Sequence, residues 1–186
     1  TTVARETEPK LANNFLKSTN PGVVMTYAEV EFLLAEASLK GWNTGSKSID
    51  ELYRTGVRAA IDFLTESYGC DQVSDETFEE YINQNGIGHT DEQKKEAINT
   101  QAWILHFTNP AECWANIRRS GYPKLKSPAE YGFGQYLPGG TEIPVRLCYP
   151  VLESSYNKVS YEEALNRMGG TDNWYTPVWW DKDATK

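Results

Sequence analysis

Between Val23 and Lys40 the apolar positions Tyr27, Val30, Leu34 and Ala37 recur at spacings of three and four. Leu33 lies beside them, and Glu29, Glu31 and Glu36 fall off the stripe. That period predicts a helix with one buried face, and Gly41 supplies its C-terminal stop. Ser48 and Glu51 then form a Ser-x-x-Glu capping box. The helix it opens runs to about Glu66 and offers Leu52, Tyr53, Val57, Ala60, Ile61 and Leu64 for burial. The short connection Trp42-Asn43-Thr44-Gly45 makes residues 23–66 an antiparallel αα-hairpin.

Weaker helical patterning surrounds Thr77–Asn83, and Gln84-Asn85-Gly86-Ile87-Gly88 reads as a loop. Thr90 and Gln93 form a second capping box, opening a helix to about Phe107. Asn109-Pro110-Ala111-Glu112 supplies an N-cap, a proline at the first helical position and an early acid. The helix that follows ends near Arg119, before Gly121 and Pro123. Residues 122–140 read as loop, and Ile143–Tyr149 as an extended edge segment bracketed by Pro144 and Pro150. Ser160 and Glu163 predict a last capped helix to about Met168, and 169–180 is coil carrying Trp174, Trp179 and Trp180. The expected fold is mainly α, helical hairpins with long irregular loops and little or no β. It divides into a lead-in (1–22), the hairpin (23–66), further helices (74–123) and an aromatic, loop-rich tail (124–186).

Composition narrows the partners. The 186 residues carry a formal charge of −8, which argues against nucleic acid, whose phosphates need clustered Lys and Arg. No apolar run reaches the length of a membrane span. Cys70, Cys113 and Cys148 contain no C-x-x-C pair, so neither a disulfide framework nor a zinc ribbon is indicated. Aromatic residues, at 12% with six Trp and eleven Tyr, are the feature that asks for an explanation.

Several segments, in order, resemble the SusD/RagB family. They begin with the helix Val24-Met25-Thr26-Tyr27-Ala28-Glu29-Val30-Glu31-Phe32-Leu33-Leu34-Ala35-Glu36-Ala37. Trp42, Tyr53-Arg54-Thr55-Gly56-Val57 and Ile98-Asn99-Thr100-Gln101-Ala102-Trp103 follow. Then come Glu112-Cys113-Trp114, Arg118-Arg119-Ser120-Gly121-Tyr122-Pro123, Ile143 to Pro150, Glu153, Asn157 and Trp179-Trp180-Asp181. The resemblance implies the C-terminal portion of a lipid-anchored outer-membrane, cell-surface nutrient-binding protein. It implies a tetratricopeptide-like scaffold that docks on a TonB-dependent, SusC-like transporter, and loops that present aromatic rings to an oligosaccharide. The family's lipoprotein signal and anchoring Cys are not in this chain, and none of its three cysteines matches the lipidation site. The expected protein is non-catalytic and needs no cofactor or metal. The alternative is a helical-repeat module that binds protein partners and no small ligand.

Within that frame Trp42, Tyr131 and Tyr136 are the ligand-binding candidates. Trp42 is at a hairpin turn, and Tyr131, Phe133 and Tyr136 are in a Gly-rich loop. A flat ring suits the apolar face of a sugar, and loops carry function more often than packed elements. Trp103, Trp114, Trp179 and Trp180 are expected to be framework, pinning coil to helix. Arg118-Arg119 reads either as a bidentate site for an anionic sugar or as a helix terminus with an internal ion pair. Asp172 and Glu153 are the carboxylates a glycosidase reading would use, although nothing places them face to face. Asp172 in Gly-Gly-Thr-Asp-Asn is also a weak Ca²⁺ candidate. His106 and Cys113 would be a nucleophile pair only if brought together.

Overall fold

The computed structural model describes residues 11–127, 130–132 and 143–181. Among them are α1 (Tyr27–Leu39), α2 (Ile49–Tyr68), α3 (Asp75–Gln84), α4 (Asp91–Leu105), α5 (Pro110–Ser120), α6 (Glu153–Tyr156) and α7 (Lys158–Arg167). Two 3-10 turns, Asn13–Leu16 and His106–Thr108, complete the regular structure, and no strand occurs among the described residues. The fold is mainly α, built on helical hairpins as the pattern predicts. Two units divide the chain, Thr1–Cys113 and Trp114–Lys186.

In the first unit each long helix starts on a hydroxyl. Thr26, Ser48, Ser74 and Thr90 accept from the backbone N–H three residues on, and the boxes Ser48/Glu51 and Thr90/Gln93 both close. The Thr26 cap places the start of α1 at Tyr27 rather than at Val23. Ser74 likewise starts α3 before Thr77.

The core joins Ala28, Phe32 and Ala35 of α1 to Leu52, Tyr53 and Val57 of α2. Phe78 and Ile82 of α3, Ile98 and Ala102 of α4, and Ile87 close around them. Burying each large apolar side chain is worth about 1.5–3 kcal/mol. The helices of the hairpin meet closely at Gly56, where an added Cβ would lie 2.6 Å from Phe32 Cε1. The ring of Phe32 fills the space that a side chain would take.

This fit corrects the expected face of α1. Tyr27, Val30 and Leu33 are exposed, whereas Glu31 and Glu36 are buried. Apolar residues surround most of the α1 circumference, so periodicity does not select a face. Phe32 against Gly56 does. Lys47 then meets Glu31 at 2.8 Å and Lys40 meets Glu36 at 2.9 Å, which makes burial of the two acids tolerable.

In the second unit the extended segment joins the coil without forming a ladder. The Val145 and Arg146 N–H groups both point to Trp174 O, at 2.8 and 3.3 Å, and Trp114 Nε1 donates to Pro144 O at 2.7 Å. Arg146 Nη2 meets Asp172 Oδ1 at 2.9 Å, and Asp172 Oδ2 accepts from Tyr149 N at 3.0 Å. The predicted box at Ser160/Glu163 does not form. α7 begins at Lys158, and its N-cap Asn157 makes no side-chain cap bond, so both box residues fall inside the helix. The single turn α6, directly after Pro150, carries too little pattern to be predicted.

Candidate functional site

Trp42 is presented by the end of α1. Gly41, at φ +80°, turns the chain so that Gly41 N donates to Ser38 O (2.9 Å) and Trp42 N to Ala37 O (3.0 Å). This is the Schellman pattern, which satisfies the last carbonyls of the helix and fixes the backbone that carries the indole. The ring is 68% exposed. A rigid backbone under an exposed indole is what a stacking platform requires, because little further ordering is lost when a ligand arrives.

Tyr131, in the second unit, is 63% exposed, with Lys126 Nζ 6.0 Å from its ring centroid. Tyr136 and Phe133 lie outside the described residues.

Of the four rings expected to be framework, Trp103 and Trp114 are half-buried. Trp180 is 50% exposed and packs on Arg118, whose Cζ is 4.6 Å from the Trp114 ring and 5.3 Å from the Trp180 ring. Trp179 departs from the expectation: it is 86% exposed. Alternating neighbours in Pro177-Val178-Trp179-Trp180 carry no signal that would separate the two indoles.

The charged candidates are engaged in local structure. Arg118 lies between two indoles, and Arg119 Nη2 donates to Asn116 Oδ1 at 3.1 Å. Asp172 is held by Arg146 and the Tyr149 amide, and Glu153 Oε2 accepts from Asn157 Nδ2 at 3.0 Å. Cys113 Sγ donates to the carbonyls of His106 (3.0 Å) and Trp103 (3.4 Å), not to an imidazole. Burial pushes its thiol above the ordinary value, so the neutral form dominates near neutrality. The His106 imidazole instead has Glu29 Oε1 at 3.9 Å. Among the described residues no three His, Cys, Asp or Glu side chains are grouped to hold a metal, and no helix is long and apolar enough to cross a membrane.

Comparison with known proteins covers nearly the whole chain. A family profile described as SusD-like, SusD and RagB outer membrane lipoprotein, matches residues 4–181. A SusD-like protein from Bacteroidetes AC2a is 50% identical over 93% of this chain, with a TM-score of 0.82, and 33% of that protein is covered. A chitin-binding protein is 36% identical over 89% of this chain and 35% of its own length, at a TM-score of 0.73. A chitin-binding SusD homologue from Flavobacterium johnsoniae is 28% identical over 86% of this chain and 36% of its own, at a TM-score of 0.66. No curated protein matches. The chain spans about a third of the length of these structures. An identity of 50% with the same fold, together with a profile match over residues 4–181, makes this chain a member of the SusD/RagB family of outer-membrane lipoproteins.

Proposed function

We propose that the protein to which this chain belongs binds oligosaccharide at the cell surface and hands it, without catalysis, to a TonB-dependent, SusC-like transporter. The observation that supports this most is the match to two chitin-binding relatives over 86–89% of the chain. The exposed Trp42 indole on its pinned backbone is consistent with it. Trp42, Tyr131 and Tyr136 would stack on sugar faces, and neighbouring polar groups would hold the hydroxyls. The helical hairpin would be the rigid support, leaving the ligand over the transporter mouth.

The experiment is calorimetric titration of the full-length protein with N-acetylglucosamine hexamer and a panel of other oligosaccharides, with Trp fluorescence read in parallel. Saturable binding is expected, weakened roughly five- to tenfold by Trp42→Ala, the loss of about 1–1.4 kcal/mol of stacking. Wild-type protein that responds to no glycan would overturn the reading. A second reading, docking of a protein partner, is favoured by one observation: Val24, Met25, Tyr27, Val30 and Leu33 leave apolar side chains exposed along and just before α1.

A further inference from the structure

A groove of about 860 Å³ opens between two turns of the first unit. The last turn of α1 supplies Ser38 to its walls and the first turn of α2 supplies Asp50, the α3–α4 connection supplies Ile87, Gly88 and His89, and Lys94 comes from the start of α4. That volume is in the range of small-molecule sites. Ser38 O accepts from Gly41 N at 2.9 Å, and Trp42 is the next residue on that turn.

The far wall is held in place by two side chains. The buried Tyr53 hydroxyl donates to Asn85 O at 2.5 Å, and Gln93 Oε1 accepts from both His89 N and Thr90 N at 3.0 Å. The turn is therefore fixed before any ligand arrives, which lowers the ordering cost of binding.

The groups on the walls suit a particular chemistry. Asp50 accepts, Lys94 donates, and Ser38 and His89 do either, so hydroxyl and acetamido groups find partners of both kinds. The Lys94 ammonium already has Asp91 Oδ1 at 3.9 Å, so the groove presents no unmatched positive charge. An anion would gain nothing from it. The two guanidiniums of α2, Arg54 and Arg58, are already paired with Glu79 and Asp75.

We propose that this groove seats the polar edge of an uncharged oligosaccharide held at Trp42. The inference rests on the glycan-binding reading above and adds the recognising residues and the charge class of the ligand.

The test uses the full-length protein with Lys94→Met, His89→Ala and Trp42→Ala variants, titrated calorimetrically with N-acetylglucosamine hexamer and with oligogalacturonate at 50 and 300 mM NaCl. Lys94→Met and His89→Ala are expected to raise the Kd for the neutral hexamer about five- to tenfold, with melting temperature unchanged. Affinity for the hexamer should be insensitive to salt, since no net charge is being neutralised, and oligogalacturonate should not bind. Wild-type affinity in both groove variants, with binding lost in Trp42→Ala, overturns the groove and leaves the glycan reading standing. Tighter, salt-sensitive binding of oligogalacturonate overturns the uncharged class. A wild-type protein that binds no neutral glycan overturns both the groove and the reading beneath it.

Discussion

The Tyr53 hydroxyl donates to the main-chain carbonyl of Asn85 at 2.5 Å, so one buried phenol ties α2 to the turn that follows α3. Tyr53→Phe keeps the packing and leaves that carbonyl without its donor. A destabilisation of about 1–2 kcal/mol is expected from urea denaturation. The substitution should also change the alkaline limb. Burial pushes the phenol up to about 12 from the ordinary 10.0. A raised pKa favours the neutral form in the fold, so the contribution is complete below pH 10 and disappears as pH rises through 12. Two pH units correspond to about 2–3 kcal/mol. The difference in stability between wild type and Tyr53→Phe should therefore shrink, and then reverse, between pH 10 and 12.

Gly56 tests the hairpin interface. A methyl group there would enter the Phe32 ring at 2.6 Å. Ala is the better helix former by about 0.5–1 kcal/mol, yet overpacking costs about 1–3 kcal/mol, and the clash should win. Gly56→Ala is expected to lower the melting temperature, and Gly56→Ala with Phe32→Leu to recover part of the loss. A stabilised single variant would show that the hairpin can slide apart freely.

The same contact explains what could be read in the chain. Two helix starts were legible from a hydroxyl three residues before a Glu or Gln, at Ser48 and Thr90, because the box is a local interaction. The pattern at Ser160/Glu163 fails since nothing local prevents the preceding turn, at Lys158, from starting the helix first. The buried face of α1 was not legible. Val30 and Leu33 are as apolar as Phe32, and only the glycine at 56, on another helix, decides among them. Of the candidate aromatics, the exposure of Trp42 was legible from its place after Gly41, where the chain must turn outward. The groove residues Asp50, His89 and Lys94 were not, because the start of α2 and the start of α4 have to meet before they face one space.

Glu31 and Lys47 give the acid limb. Burial alone would raise the Glu31 carboxyl, but hydrogen bonds from Lys47 and Tyr27 outweigh it and hold the pKa below the ordinary 4.5. A lowered carboxyl pKa stabilises the fold above the unfolded value, so this contribution is lost as pH falls below about 4.5. Lys47→Met removes one of the two partners and leaves Tyr27 alone to oppose burial. The gain then shrinks: the variant should lose stability, relative to wild type, as pH rises from 4 to 7. Parallel pH profiles of the two proteins would refute the pairing.

Asp172 and Arg146 make the corresponding test in the second unit. The guanidinium is buried, donates from Nε to Leu147 O at 3.0 Å and meets Asp172 Oδ1 at 2.9 Å. Asp172→Ala leaves that cation without its carboxylate, and losing one partner of a buried pair costs about 3–5 kcal/mol. Replacing both, as Arg146→Met with Asp172→Leu, should cost less than the single change, because no charge is then stranded. The loss should be local. Hydrogen exchange is expected to speed up at Val145, Arg146 and Tyr149, whose amides bond to Trp174 O and Asp172 Oδ2, while amides of α1 and α2 keep their protection. If glycan binding survives Asp172→Ala with only this local change, Asp172 is a pin of the coil and not a ligand contact. Abolished binding with unchanged exchange would assign it to the site.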